Sequence, residues 1–221
     1  MPFLTSHTDV EARYLAAALP DNARVLEAGC GRRSRLSGHR DRIERLVGVD
    51  LDAEAGQENA AVDEFVVADL SKPLPFPDAS FDLVYANFVV EHLASPETTF
   101  REWQRVLRPG GGLVVLTSNS ANPYLGAARM LPDRARVFAK RVGPRVATRD
   151  VFPAHYRANT PKALLGLLAA AGFERVEVAY VATLHRYAGE RAGLGRLLRG
   201  AERALPAARR STIVGRFRRA G

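Results

Sequence analysis

Carboxylate side chains close three apolar runs in the first third of the chain. Glu27, Asp50 and Asp69 each lie at the end of a short hydrophobic segment of the kind that forms a buried strand. If these strands are parallel neighbours, their carboxyl ends meet at one edge of a sheet, where α/β proteins bind ligands. Three carboxylates suit a ligand that offers an ammonium group, a ribose diol and an exocyclic amine. The pattern therefore predicts a nucleoside-binding site, whereas Asp52 is expected only to cap a helix.

A glycine turn follows the first of these acids. Gly29 and Gly31 flank Cys30, and glycine there allows a tight turn and a close approach of the backbone to a ligand. The third glycine of the dinucleotide-binding pattern is absent, because Ser34 occupies its position. The spacing also fits NAD enzymes, so the turn alone leaves an NAD-dependent oxidoreductase open. Cys30 itself is expected to be a small buried residue.

The candidate general bases are His92, His155 and Tyr156. His92 comes just beyond the fourth predicted strand, and the other two lie at the end of a long insertion. An imidazole exchanges protons near neutral pH, although a lone histidine is more often a packing or surface residue. His7 and His39 are expected at the surface, and we predict no metal site.

The predicted elements alternate between strands and helices, which is typical of an α/β sheet. Prolines and glycines mark most of their ends. Strands are predicted at 23–28, 46–50, 64–68, 80–87, 111–117, 173–180 and 211–217, and helices or short helical turns at 7–19, 34–45, 52–60, 88–94, 95–108, 160–171 and 186–204.

The composition predicts one globular domain over residues 1–221. The chain has 47% hydrophobic residues, enough for a substantial core at this length. It contains no apolar run of about 18 residues, and its N-terminus lacks the basic and apolar regions of a secretory signal. A cytoplasmic protein is therefore expected, and its oligomeric state is left open.

The net charge of +8 is concentrated in two later segments. Residues 121–160 contain eight Arg or Lys against two Asp, and residues 181–221 contain ten Arg against two Glu. We predict a lid over about 119–159 and a basic C-terminal helix plus strand over about 186–218. The charge fits an anionic acceptor, a lipid surface or simple compositional bias, with membrane contact the minority expectation. No nucleic-acid motif is present, so no nucleic-acid partner is expected.

Five consecutive blocks resemble the class I S-adenosylmethionine-dependent methyltransferases of the type 11 family. A sixth, weaker block follows, and the resemblance covers about residues 20–180. The order and spacing of the blocks are more specific than any one of them. The blocks are VLEAGCG (25–31), VGVDLD (47–52), VVADLSKPLPFPDASFDLVYAN (66–87), VVEHL (89–93) and RVLRPGGGLVVLT (105–117), with YRANTPKALLGLLAAAGFERVEV (156–178) downstream.

The resemblance implies a doubly wound, Rossmann-like sheet of seven strands, mostly parallel, with the last strand antiparallel between strands 5 and 6. It also implies S-adenosyl-L-methionine as cofactor and a part of that cofactor for each matched position. The methionine part is expected at Glu27, Ala28, Gly29, Cys30, Gly31, Asn87 and Phe88, the ribose at Asp50, and the adenine at Leu51, Asp69 and Leu70.

One position departs from the family pattern. The family usually has a third glycine where this chain has Arg33. The arginine is expected to point outward, but a binding protein without activity, in which Arg33 obstructs the cofactor, stays open as an alternative. The favoured prediction is a methyltransferase that acts on a small-molecule acceptor, with oxygen as the expected nucleophile and with an anionic or lipid-associated acceptor as the expected class.

Overall fold

One seven-stranded sheet forms the centre of the computed structural model, which describes residues 6–130, 153–188 and 191–221. The strand order is β3-β2-β1-β4-β5-β7-β6. Strand β7 is antiparallel to both β5 and β6, and the pairs from β3 across to β5 are parallel. The strands are β1 (Ala23–Ala28), β2 (Ile43–Asp50), β3 (Glu64–Val67), β4 (Phe81–Asn87), β5 (Leu107–Ser118), β6 (Phe173–Val181) and β7 (Thr212–Arg219). The predicted fold class is confirmed.

Helices cover both faces of this sheet. They are α1 (His7–Ala18), α2 (Ala53–Glu58), α3 (Pro96–Val106), α4 (Pro123–Met130), α5 (Pro161–Ala170) and α6 (Ala192–Arg203). Short 3-10 turns occur at Arg35–Arg42, Val90–His92, Leu184–Ala188 and Ala207–Arg209. Within the described ranges, no helix is both long enough and apolar enough to cross a bilayer.

The core has two layers because side chains alternate across each strand. Leu26 of β1 packs with Phe100 and Trp103 of α3 on one face of the sheet. Val25 packs with Tyr14 of α1 on the opposite face. These side chains are almost completely buried. The strand ends between the layers are therefore held rigidly.

The parallel strands bring their carboxyl ends to one edge of the sheet. Ala28 is in register with Val49 of β2 and with Ala86 of β4, and Asp50 is in register with Val67 of β3. Four adjacent strands thus end side by side. The residues that follow them are the ones for which the sequence predicts a ligand site.

Several element bounds differ from the sequence predictions. Strand β2 begins at Ile43 rather than 46, because Ile43 is buried and pairs with Ala23. The first crossover is a 3-10 turn with a kink at His39 rather than an α-helix. Ser95 precedes α3 as predicted, but its side chain makes no capping hydrogen bond. The prediction that Asp52 caps α2 is confirmed, since its Oδ1 accepts hydrogen bonds from the amides of Glu54 and Ala55 at 3.0 and 3.1 Å.

The predicted basic helix over 186–204 is shorter than expected. A 3-10 turn at Leu184–Ala188 packs beside α6, because the amide of Leu184 donates to the carboxylate of Glu202 at 2.8 Å. Leu197 on α6 is 68% exposed, and membrane contact stays a prediction. Residues 131–152 of the expected lid lie outside the described residues, so the lid also stays a prediction.

Candidate active site

A cavity of about 420 Å³ opens at the carboxyl ends of β1 to β4. Ten of the predicted site residues line it: Gly29, Gly31, Asp50, Leu51, Asp69, Leu70, Asn87, Phe88, His92 and His155. Residues that were not predicted also contribute to its wall, among them Ser71, Val89, Leu93 and Pro153. The other predicted residues, Glu27, Ala28, Cys30 and Tyr156, are not part of the lining.

The two glycines of the turn are needed for different reasons. Gly29 has φ +69°, and a Cβ there would lie 2.3 Å from Cγ2 of Val89, which is too close for any other residue. Gly31 has φ +52°, and a Cβ there would meet nothing within 4 Å. The space above Gly31 belongs to the cavity. A ligand can therefore approach the backbone at Gly31, while Gly29 allows the turn to close.

A buried asparagine holds this turn from behind. The side-chain amide of Asn59 donates to the carbonyl oxygens of Cys30 at 3.2 Å and of Gly31 at 3.0 Å. Its Oδ1 accepts from the amide of Ser34 at 3.3 Å. Asn59 is 3% exposed, so these bonds are shielded from water. The sequence analysis missed Asn59, because it lies nearly thirty residues beyond the turn in a segment without a motif.

Asp50 and Asp69 present carboxylates to the cavity. Asp50 Oδ2 accepts from the amide of Gly31 at 2.9 Å, and its Oδ1 accepts from Asp52 at 3.1 Å. Asp69 Oδ1 accepts from the amide of Ser71 at 2.9 Å. Each carboxylate oxygen can accept more than one hydrogen bond, so both side chains keep capacity for a ligand. The backbone bonds fix their orientation.

Two buried oxygen atoms near the carboxyl ends of β1 and β4 have no hydrogen-bond partner among the described residues. They are Oε2 of Glu27 and Oδ1 of Asn87. Glu27 is 3% exposed, and this burial raises the pKa of its carboxyl group to about 7. An unpaired buried acceptor is costly, so both atoms fit a ligand that brings donors such as an ammonium group.

Ala28 and Cys30 contribute through packing and backbone rather than through side chains in the cavity. Cys30 is buried, and its Sγ lies against Gly48, where a Cβ would come within 2.7 Å of it. Burial raises the pKa of the Cys30 thiol to about 12, so the thiol stays protonated. The expectation of a small buried residue at Cys30 is confirmed.

The candidate bases lie along one rim. His92 Nδ1 is 2.9 Å from the carbonyl oxygen of Pro153. A carbonyl only accepts, so Nδ1 carries the proton in that bond, and Nε2 of the neutral ring is the acceptor. His155 also lines the cavity, but Tyr156 does not. Tyr156 has φ +53°, which is a strained conformation for a tyrosine.

Glu91 anchors this rim and was not predicted. Its backbone oxygen accepts from the amides of His155 at 2.7 Å and of Tyr156 at 3.1 Å. Its buried carboxylate accepts from the hydroxyl of Thr117 at 2.7 Å, and Thr117 in turn accepts from Asn159 at 2.6 Å. Burial raises the pKa of the Glu91 carboxyl group. The network joins the end of β5 to the segment before α5.

The structure tests the positions predicted for Arg33 and His7. Arg33 is exposed and does not line the cavity, so it points outward as expected and does not support the obstructed-site alternative. The expectation that His7 lies at the surface is wrong. His7 is 3% exposed, because the first turn of α1 packs its ring edge-on against Phe88, with ring centroids 6.4 Å apart.

Known proteins share this sequence pattern and this fold. A family model described as a methyltransferase domain matches residues 26–115. The structure of an S-adenosylmethionine-dependent methyltransferase from Mesorhizobium loti superposes with a TM-score of 0.64 at 25% identity, over 95% of this chain and 97% of that one. Over residues 26–115 the chain thus matches the methyltransferase domain family, and its fold is that of an S-adenosylmethionine-dependent methyltransferase.

Curated relatives match about half of this chain. A malonyl-[acyl-carrier protein] O-methyltransferase from Erwinia pyrifoliae is 39% identical over 48% of this chain and 41% of its own length. The ubiquinone/menaquinone biosynthesis C-methyltransferase UbiE from Ectopseudomonas mendocina is 36% identical over 51% of this chain and 45% of its own. The chain thus spans less than half the length of these relatives. The family model, by its matched residues 26–115, runs from β1 to β5.

Proposed function

We propose that the protein binds S-adenosyl-L-methionine in the 420 Å³ cavity and transfers its methyl group to a small-molecule acceptor, with oxygen as the favoured nucleophile. One observation carries the proposal: the carboxylates of Asp50 and Asp69 and the unpartnered buried Oδ1 of Asn87 line a cavity at four parallel strand ends. Their chemistry fits a ligand with an ammonium group, a ribose diol and an exocyclic amine. The family supports the same ligand.

Each residue group has a part in holding the cofactor. We assign Glu27 and Asn87 to the methionine part, because each has a buried oxygen without a partner among the described residues. The turn around Gly29 and Gly31 is assigned to the same part, because both glycines line the cavity. Asp50, oriented by the amide of Gly31, is assigned to the ribose hydroxyls. Asp69, with Leu51 and Leu70 beside it, is assigned to the adenine.

The bound sulfonium supplies an activated methyl group, so the protein has to align the acceptor and exclude water. A base is needed only if the acceptor keeps a proton through the attack. His92 is the favoured base, because it lines the cavity and its ring is oriented by the bond between Nδ1 and the carbonyl of Pro153. His155 is the second candidate. The rim held by Glu91 positions this second histidine.

Of the two relatives described above, the one from Erwinia pyrifoliae has the higher identity, and it is an O-methyltransferase. Oxygen is therefore the favoured acceptor atom. The second, UbiE, is a C-methyltransferase, so carbon is the alternative. Incubation of the protein with methyl-labelled S-adenosylmethionine and candidate acceptors, followed by mass spectrometry of the products, distinguishes the two.

Calorimetric titration tests cofactor binding directly. S-adenosylhomocysteine, the demethylated product, should bind the purified protein, and NADH should not. A protein that binds NADH and ignores S-adenosylhomocysteine would contradict the proposal. The obstructed-site alternative would be supported if the wild type did not bind S-adenosylhomocysteine and the Arg33→Gly variant did.

A further inference from the structure

A second cavity of about 360 Å³ lies beside the cofactor cavity. Phe88 lines both of them. Phe88 has φ +54°, an unusual conformation for a bulky residue, while its amide donates to the carbonyl of Leu116 at 2.8 Å. A side chain held in this way at the boundary of two cavities marks a place where two ligands can meet.

The second cavity has a cationic wall. Arg35 and Arg186 are the charged residues that line it, and no described lining residue is acidic. Arg186 donates to the ring of His7, with Nη1 2.5 Å from Nε2. Burial and the two nearby arginines lower the pKa of His7 to about 4, so its ring is neutral and accepts this bond. His7 therefore orients Arg186 without adding charge.

The two arginines are not equivalent. Nε of Arg35 lies 3.9 Å from the buried carboxylate of Glu11, which offsets part of its charge. Arg186 has no acidic side chain within ion-pair distance among the described residues. We therefore expect Arg186 to contribute more to binding an anion.

Hydroxyl groups complete the lining. Oγ of Ser118 is buried and has no hydrogen-bond partner among the described residues. Thr183, Ser211 and Thr212 form a chain, with Thr183 Oγ1 2.7 Å from Ser211 Oγ and 2.8 Å from Thr212 Oγ1. Hydroxyl hydrogens rotate to meet an acceptor, so this wall suits oxygen atoms that carry negative charge.

We propose that the second cavity binds the methyl acceptor and that this acceptor carries a carboxylate or phosphate group, held by Arg186 and, more weakly, by Arg35. The inference rests on the proposed function, since the acceptor needs a methyl donor in the neighbouring cavity. A guanidinium group binds either anion through paired hydrogen bonds. The cavity volume limits the bound part to a small molecule or to the end of a larger one.

The experiment uses the whole protein saturated with S-adenosylhomocysteine. Benzoate, phenyl phosphate and the neutral benzamide are titrated in turn, and binding is followed by ligand-observed NMR. We expect at least one anion to bind and benzamide not to bind. Tighter binding of benzoate identifies a carboxylate acceptor, and tighter binding of phenyl phosphate identifies a phosphate.

Variants of the two arginines test whether the anions bind in the second cavity. Arg186→Gln should weaken anion binding by about tenfold or more, because it removes a charge-assisted hydrogen bond. Arg35→Gln should have a smaller effect. Arg199→Gln, which removes an exposed arginine of α6 outside the cavity, is the matched control and should change nothing.

Each other outcome overturns the inference. Equal binding of benzamide, no binding of either anion, or equal anion affinity in Arg186→Gln and the wild type would exclude this site while cofactor binding stands. Failure of S-adenosylhomocysteine to bind in the first step would overturn the proposed function as well. The two failures are therefore distinguishable.

Discussion

The two cavities are built in opposite ways. The proposed cofactor cavity is made by adjacent strand ends and is lined by the carboxylates of Asp50 and Asp69. Apart from Pro153 and His155, its lining lies within residues 26–115, which match the family model. The second cavity is lined by two arginines and combines α1, the end of β5 and the segment after β6. The comparison indicates that the proposed donor site follows a local sequence pattern, while the proposed acceptor site depends on contacts between distant segments.

The largest effect is expected at the glycine turn. Gly29→Ala should lower the free energy of unfolding by about 2–5 kcal/mol, from backbone strain and the clash with Val89. Gly31→Ala, without that clash, should cost only about 1–2 kcal/mol of stability, while its methyl group enters the cavity and weakens S-adenosylhomocysteine binding. Chemical denaturation and calorimetry measure both. Equal stability of the two variants would contradict the roles given to the two glycines.

The next largest effect is expected when the carboxylate of Asp50, which is assigned to the ribose, is removed. Asp50→Ala should weaken S-adenosylhomocysteine binding by about 100-fold or more, since two charge-assisted hydrogen bonds are worth about 1.5–3 kcal/mol each. Asp52→Ala is the matched control, because Asp52 caps α2 and pairs with Arg32 but does not line the cavity. It should cost about 1 kcal/mol of stability and leave affinity nearly unchanged. Calorimetry that finds the two variants equally weak would refute the ribose assignment.

Asn59 tests whether the turn depends on its buried support. Asn59→Ala should cost about 2 kcal/mol of stability, because the carbonyls of Cys30 and Gly31 lose their donor inside the protein. Affinity for S-adenosylhomocysteine should fall as well. Asn59→Asp keeps the acceptor oxygen that bonds Ser34 but loses the donor, so it separates the two contributions. An unaffected Asn59→Asp variant would show that the donor bonds are unimportant.

The pKa of Glu27, raised to about 7, predicts a pH dependence with opposite signs for stability and affinity. Ionised Glu27 is buried without a full set of partners, so the unfolding free energy of the unbound protein should fall as pH rises from about 4.5 to about 7. Binding of an ammonium ligand needs the ionised form, so affinity should rise by up to about tenfold per unit as pH increases toward 7.

Glu27→Gln removes the titrating group and is the control for this pH dependence. Its affinity for S-adenosylhomocysteine, measured by calorimetry from about pH 6 to about pH 8, should be lower than that of the wild type at the upper end and nearly flat. A wild-type slope that persists in the variant would assign the pH dependence to another group.

The smallest effect is expected at Arg33. Arg33 is exposed and lies outside the cavity lining, so Arg33→Gly should change S-adenosylhomocysteine affinity by no more than about twofold. Calorimetry on the variant measures this. A large gain in affinity would show that the arginine does reach the cofactor.

The sequence alone predicted most of the cofactor half of the fold. The bounds of β1 match the prediction, and β4 differs from it by one residue, because an apolar run between turn residues is a local signal. Glycines at positive φ and acids after buried strands are likewise visible without coordinates. These features led to Asp50, Asp69 and both glycines, all of which line one cavity.

Only the tertiary structure identified the residues that support a site from a distant part of the sequence. Asn59 supports the turn, Glu91 anchors the rim, and His7 orients Arg186 across 179 positions of sequence. Each is a single polar residue whose role depends on which backbone groups the fold brings beside it and then shields from water. Periodicity carries no information about such pairings, because burial and partner choice arise only when the helices close over the sheet.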